Sequence, residues 1–242
     1  ERAEAFADPE AGKRLSGQLN AVYPYSMLSE LYTKTTVSEL KIAAMADRDE
    51  AAYHTFEEKE VQPYIPLFCR GEEKISGAVR GNAYHRVMEL LDFEAVSEAA
   101  ALQTFLEKEV ESGRLSAEYF QAVRPEKIGK FLASPLAGRM RRAQRQGRLY
   151  REQPFVLGID ARRLKGSFPE GETVLIQGII DVFFEEEDGL VLLDYKTDAV
   201  SSMKELWNRY ETQLDYYQEA VQKLFGKPVK ERILYSFHLG RY

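Results

Sequence analysis

At 242 residues, with 44% hydrophobic and 12% aromatic side chains, the chain can bury a packed core and reads as one large domain or a core with an extension. A net charge of −6 argues against a surface that is basic throughout, and no apolar run approaches the roughly 18–20 residues a membrane span needs. Glu1-Arg2-Ala3-Glu4 does not open a signal peptide, and the single cysteine, Cys69, excludes an internal disulfide or an iron–sulfur cluster held by this chain alone, so a reducing cytoplasm is the expected compartment.

Residues 1–72 differ from the rest of the chain. Ala3 to Leu19 is weakly helical, Tyr23-Pro24-Tyr25 breaks the pattern, and residues 35–40 suit a short strand or the entry to a helix. Pro63, Pro66 and Gly71 then punctuate the chain, so this part is expected to be a connector or helical extension. From Ser76 the helical signal strengthens. Val87, Leu90 and Leu91 share one face and place His85 in the first turns of a helix. Further helices are predicted over residues 95–110, from Ser116, and from Pro125. Pro135 either begins another or kinks the one before it. Between Ala137 and Arg151 lie six arginines and no acid, a local basic stripe of the kind that contacts phosphates, with Arg142 and Arg145 as candidates; the competing reading is a solvated helix face.

The β portion comes next. Residues 149–159 read as a strand with Glu152 near its start. Residues 174–184 and 190–195 read as a hairpin closed by the polar run Glu185 to Gly189. Met203 to Phe225 is a long amphipathic helix stopped by Gly226 and Pro228, and a last strand covers residues 231–237. Helices, then strands, then a helix and a strand predict a mixed sheet flanked by helices.

The hairpin carries the chemistry. Apolar strands do not hold ionised groups without reason, because burying an unpaired charge is costly. Yet Asp181 interrupts the first strand, and Asp194 with Lys196 interrupts the second, two residues apart and therefore on one face. If the register brings Asp181 to that face, two carboxylates and an ammonium converge. Mg²⁺ takes one or two carboxylates with carbonyl, water and phosphate oxygens, so Asp181 and Asp194 suit it, and the Tyr195 carbonyl and Glu152 can add to them. Lys196 is placed to hold a water or to stabilise charge developing on phosphorus. A salt bridge between Asp194 and Lys196 is the bland alternative.

Four patterns in order, Gly81-x-x-x-His85, Gly178-x-x-Asp181, Asp194-Tyr195-Lys196 and Gln213-x-x-x-Tyr217, resemble the RecB-family nucleases, a branch of the restriction-endonuclease-like superfamily. The likeness runs from about Val37 to Phe237 and is strongest to the C-terminal nuclease domains of AddA-type helicase–nuclease subunits. It implies a mixed α/β fold with a restriction-endonuclease-like core over residues 73–242 and the extension over 1–72. It also implies metal ligation by Asp181 and Asp194 with His85 completing the site, Lys196 as the catalytic lysine, and Glu152 as a further acidic position. Gln213 and Tyr217 would contact DNA or support the site. The implied reaction is Mg²⁺-dependent hydrolysis of DNA phosphodiesters, exonucleolytic in type, with Mn²⁺ able to substitute. Single-stranded DNA would arrive from a helicase portion of the same polypeptide working with an AddB-type partner subunit. No Gly-x-x-x-x-Gly-Lys-Ser/Thr occurs, so these residues are not the motor, and the abrupt first residues fit an excised domain. A catalytically silent scaffold and a stand-alone nuclease of another repair or defence pathway are the alternatives.

Overall fold

The computed structural model describes residues 13–14, 16, 33–40, 76–96 and 99–242. Most of the expected extension over residues 1–72, with Cys69, lies outside them. Two compact units result. Of the described residues, one holds Gly158–Ile176 with those before Thr36; the other holds those of Thr36–Leu157 and Gln177–Tyr242. In the first, the turn Ala161–Arg163 is capped by the Asp160 carboxylate, which accepts from the Arg162 amide at 2.8 Å, and Ala161, Phe168 and Val174 form a small core.

The second unit carries all the motifs. Residues 34–36 form strand β1 and residues 37–40 are helical, so both readings of that stretch hold in succession. The switch is a capping box: Glu39 N donates to Thr36 Oγ1 at 3.2 Å, and Thr36 N donates to a Glu39 carboxylate oxygen at 2.8 Å. Among the described residues five helices lie between it and the next strand: α1 (Gly77–Leu90), α2 (Ala99–Glu111), α3 (Ala117–Ala122), α4 (Pro125–Leu132) and α5 (Pro135–Arg145). Serine hydroxyls cap three of them, with Ser76, Ser116 and Ser134 each accepting from an amide three residues on. Because Ser134 caps α5, Pro135 starts a separate helix rather than kinking α4.

The sheet comprises β1, β2 (Leu149–Asp160), β3 (Thr173–Glu186), β4 (Gly189–Lys196) and β5 (Val229–Ser236). Its order is β1-β3-β4-β5, with β2 also on β3. β3 and β4 are antiparallel, whereas β4 and β5 are parallel and joined through α6 (Met203–Phe225). Parallel neighbours need a long crossover, and α6 is that crossover. All eight residues of β4 are buried, as befits a strand with neighbours on both sides. One core joins the inner faces of α1, α2, α4 and α5 to Val182, Phe184, Val191, Leu193, Tyr195 and Phe237.

The hairpin loop is tighter than the sequence predicts. Glu186 pairs with Gly189, so Glu187 and Asp188 alone make the turn. Glu185 and Glu186 stay in the strand because cations meet them: Lys227 pairs with Glu185, while Arg139 at 2.9 Å and Lys230 at 2.7 Å hold Glu186. Gly189 is obligatory there, with φ of 148° and a would-be Cβ only 2.9 Å from the Pro228 carbonyl.

Candidate metal and phosphodiester site

The last paired residues of the hairpin are Val182 and Leu193, and the next residues outward are Asp181 and Asp194. The Asp181 carboxylate accepts from the Tyr195 amide at 2.9 Å, which ties the first acid to the second strand. Asp194 lies two residues before Lys196, and their side chains meet at 2.6 Å between Nζ and Oδ2. The i, i+2 rule therefore places the lysine where the sequence argument needs it.

His85 arrives from α1, its Nδ1 3.3 Å from Asp181 Oδ1. Glu152 arrives from β2 through a backbone that few non-glycine residues adopt, with φ of 46°. Left-handed geometry at such a residue stores about 1 kcal/mol or more and recurs at functional positions. Beyond it the strand alternates regularly, with Phe155, Leu157 and Ile159 buried. Donor atoms of His85, Glu152 and Asp181 all lie within 4.8 Å of one another. Asp194 is not one of this trio; it is held by Lys196 and, at 3.4 Å, by Gln213 Nε2.

The electrostatics record an excess of buried acid. Burial, reinforced by the Asp181 carboxylate, pushes Glu152 up to about 7. Burial pushes Asp194 up as well, the Lys196 ammonium pulling against it. Asp181 goes the other way: burial is outweighed by the His85 hydrogen bond and the nearby cations, and its carboxyl is held down. His85 is correspondingly raised, the Asp181 carboxylate overcoming the cost of burial. Three carboxylates thus face one lysine and one histidine. A hard divalent cation fits such a set, since it takes carboxylate oxygens with an imidazole and neutralises the surplus charge.

Gly178 has a steric reason to be glycine. A Cβ there would sit 2.9 Å from Phe155 Cε1 and 3.1 Å from Val37 Cγ2. Phe155 packs edge-on against Tyr217 at 5.6 Å, and the Tyr217 hydroxyl accepts from Gln213 Nε2 at 2.7 Å. A chain of contacts therefore runs from Gly178 through Phe155, Tyr217 and Gln213 to Asp194. Gly178, Phe155 and Tyr217 also border an open cleft of about 780 Å³, whose walls include Val156 and Ile179, both exposed.

These elements match the family described as the PD-(D/E)XK nuclease superfamily over residues 52–239. The chain belongs to that superfamily. The expected mixed α/β fold, a mixed sheet flanked by helices, is the one found. The chain is 33% identical to the AddA-type protein of the ATP-dependent helicase/nuclease of Lachnoclostridium phytofermentans, which aligns with 95% of this chain and 22% of that protein. Proteins of the same description from Clostridium botulinum strains Loch Maree and 657 are each 37% identical, aligning with 93% and 96% of this chain and 18% of their own length. The chain spans about a fifth of the relatives it matches.

Within this superfamily domain, His85, Glu152, Asp181, Asp194, Lys196, Gln213 and Tyr217 are linked by the contacts above. Tyr195 contributes its backbone amide, while its side chain enters the aromatic core beside Phe131 and Phe237. The arginine run is mostly committed elsewhere. Arg139 holds Glu186 and Glu231, Arg141 donates to the Phe93 carbonyl, and Arg145 pairs with Glu94. Arg142 lines a separate cleft with the acids Glu185 to Asp188. Arg151 donates to the Glu89 and Leu91 carbonyls at the end of α1, fixing the residue next to Glu152.

Two residues that sequence reasoning passed over also belong here. The Lys196 ammonium lies 4.2 Å from the centre of the Tyr210 ring, and the Tyr210 hydroxyl donates to Asp198 at 3.0 Å. Tyr210 stands three residues before Gln213 and seven before Tyr217, one stripe of α6, so helical periodicity carried the signal.

Proposed function

We propose that this chain is a divalent-metal-dependent deoxyribonuclease domain, hydrolysing phosphodiester bonds of single-stranded DNA, with Mg²⁺ as the resident ion and Mn²⁺ able to replace it. The observation that carries the reading is the convergence of His85, Glu152 and Asp181 within 4.8 Å beside the Asp194–Lys196 pair. The relatives' description as helicase/nuclease subunits supports a setting in which a helicase portion of the same polypeptide, working with an AddB-type partner, feeds unwound strand to the site. Exonucleolytic cutting in DNA break repair follows from that setting.

Asp181, Glu152 and His85 are the residues that would hold the ion, with the Tyr195 carbonyl and Asp194 as further oxygen donors. When bound, a divalent cation supplies Lewis acidity toward phosphoryl oxygen and acidifies water at the site. The protein's own part is orientation and charge. Lys196 has three N–H donors. Asp194 takes one and the Tyr210 ring stabilises the ammonium face, which leaves a donor for a phosphate oxygen or the attacking water. Negative charge develops on the phosphoryl oxygens in the transition state, so a fixed ammonium there lowers the barrier more than it tightens ground-state binding. Gln213 keeps Asp194 from swinging away.

The test pairs calorimetric titration of Mn²⁺ with cleavage of a single-stranded oligonucleotide, in the wild type and Asp181→Asn. Ion binding and cutting are expected in the first and both lost in the second. Undiminished metal-dependent cutting by Asp181→Asn would remove the assigned centre.

A further inference from the structure

Helix α1 serves two places. His85 meets Asp181, whereas its chain neighbour Tyr84 and Arg80, one turn earlier, line a separate cavity of about 270 Å³. β4 ends with the same division: Lys196 pairs with Asp194, and the next residue, Thr197, lines the cavity. Arg124 and Lys127 enter it from α4, and His238 from beyond β5. Two separate chain connections, 84–85 and 196–197, therefore put this cavity next to the acid cluster.

Its charge is of one sign. No carboxylate lines it among the described residues. Asp198, flanked by the lining residues Thr197 and Ala199, instead accepts the Tyr210 hydroxyl at 3.0 Å from both carboxylate oxygens. Burial, together with the fields of Arg124, Arg80 and Lys130, holds Lys127 below the usual lysine range. Like charges gathered without a counter-ion destabilise the fold unless something anionic joins them. The placement is also built. The Tyr84 hydroxyl accepts from the Arg124 amide at 3.1 Å, and the Tyr84 and Phe237 rings pack with centroids 4.5 Å apart beneath. Arg124 is the N-cap residue of α4, and its guanidinium, a donor only, makes no capping bond to the amides there. Guanidinium forks, an ammonium and a hydroxyl on one cavity match the tetrahedral oxygens of a phosphate.

We propose that the cavity formed by Arg80, Arg124, Lys127 and Thr197 is a phosphate subsite that holds the bound strand beside the cutting centre. This rests on the reading of the acid cluster as a nucleic-acid site. The phosphate is either an internal one of the strand or a terminal one, and the two are separable. The cluster of acids would otherwise repel a polyanion, so a neighbouring cationic seat gives the strand a register on the enzyme.

The experiment measures binding, not cutting, and so stands apart from the nuclease reading. Fluorescence anisotropy in EDTA follows a 3′-labelled oligothymidylate, with and without a 5′-phosphate, on the full chain and on the double variant Arg80→Gln/Arg124→Gln. Both arginines are exposed, and circular dichroism verifies that the fold is kept. Affinity is expected to fall about tenfold at low salt, and the slope of log K against log salt to flatten by about two. Equal loss on both oligonucleotides assigns an internal phosphate; loss confined to the phosphorylated one assigns a terminal phosphate. An unchanged affinity and slope on both overturns the proposal. If the wild type binds as described yet never cuts with Mg²⁺ or Mn²⁺, the nuclease reading fails while the subsite stands.

Discussion

Replacing Lys196 by methionine tests how the centre is held together. The change keeps the aliphatic stem but leaves Asp194, fully buried, without its ammonium partner at 2.6 Å. Breaking a buried pair from one side costs ~3–5 kcal/mol, because an uncompensated charge remains. A change of 1 kcal/mol moves the unfolding midpoint of a domain this size by ~2–4 °C, so the midpoint should fall by about 6–20 °C at neutral pH. The penalty also has a pH signature. Burial already raises the Asp194 carboxyl above its unfolded value, and loss of Lys196 raises it further. A raised carboxyl binds more protons folded than unfolded, so the variant loses stability as pH climbs from about 4 toward the folded value. Because the wild-type carboxyl is itself raised to about 7, thermal unfolding in EDTA should show the two keeping pace below about pH 7 and the variant drifting away from the wild type above it. The double variant Asp194→Asn/Lys196→Met should recover most of the loss. A single variant as stable as the wild type at pH 8, or a double variant no better than the single, would refute the claim that the pair is mutually dependent. The practical consequence is that absent cutting by a Lys196 variant needs a folding control before it counts as chemistry.

Gly178→Ala should destabilise by ~1–3 kcal/mol through overpacking against Phe155, and Phe155→Leu in the same chain should relieve part of it; denaturant midpoints report both. Glu186→Gln probes the ion pair at the hairpin end. Arg139 holds the Glu186 carboxyl down to about 2, so its contribution is present above about pH 4.5 and is lost as pH falls through about 2. The variant should be less stable by roughly 1–3 kcal/mol at neutral pH, the gap closing in acid; a gap independent of pH would contradict the assignment. Charge reversal of Arg142 and Arg145 should leave the salt slope of oligonucleotide binding unchanged, since Arg145 serves Glu94 and Arg142 sits by the acidic turn. A flattened slope would return this helix to the path of the strand.

Much of the fold was legible because it rests on local rules. Serine caps, prolines at helix starts and Gly226 at φ 64° mark ends that a reader of sequence can place. The Asp194–Lys196 contact followed from strand periodicity alone. The hairpin turn was misread in length because its glutamates look like loop residues, and only their distant partners, Arg139, Lys227 and Lys230, keep them in the strand. The arginine stripe could not be read further for the same reason. Charge along the chain says nothing of which acids lie across from it, and α5 meets several.

What sequence could not convey is why the acids tolerate burial at all. Asp181, Asp194 and Glu152 come from three strands, and their mutual repulsion would drive them apart on a pliable scaffold. Here β4 is buried along its length between two partners, the hairpin fixes Asp181 through the Tyr195 amide, and Gln213 secures Asp194 from a helix that must cross the sheet to reach β5. Rigidity comes from the core, while the surplus charge is left for a ligand to balance. Strain at Glu152 belongs to the same scheme, since a left-handed residue in a strand persists only where its neighbours over-determine it. Arg151, locked onto two carbonyls of α1, is the neighbour that does so. A cluster with acid in excess and stiffly held should bind a divalent cation with little rearrangement, because the free energy of ordering the side chains has already been met by folding.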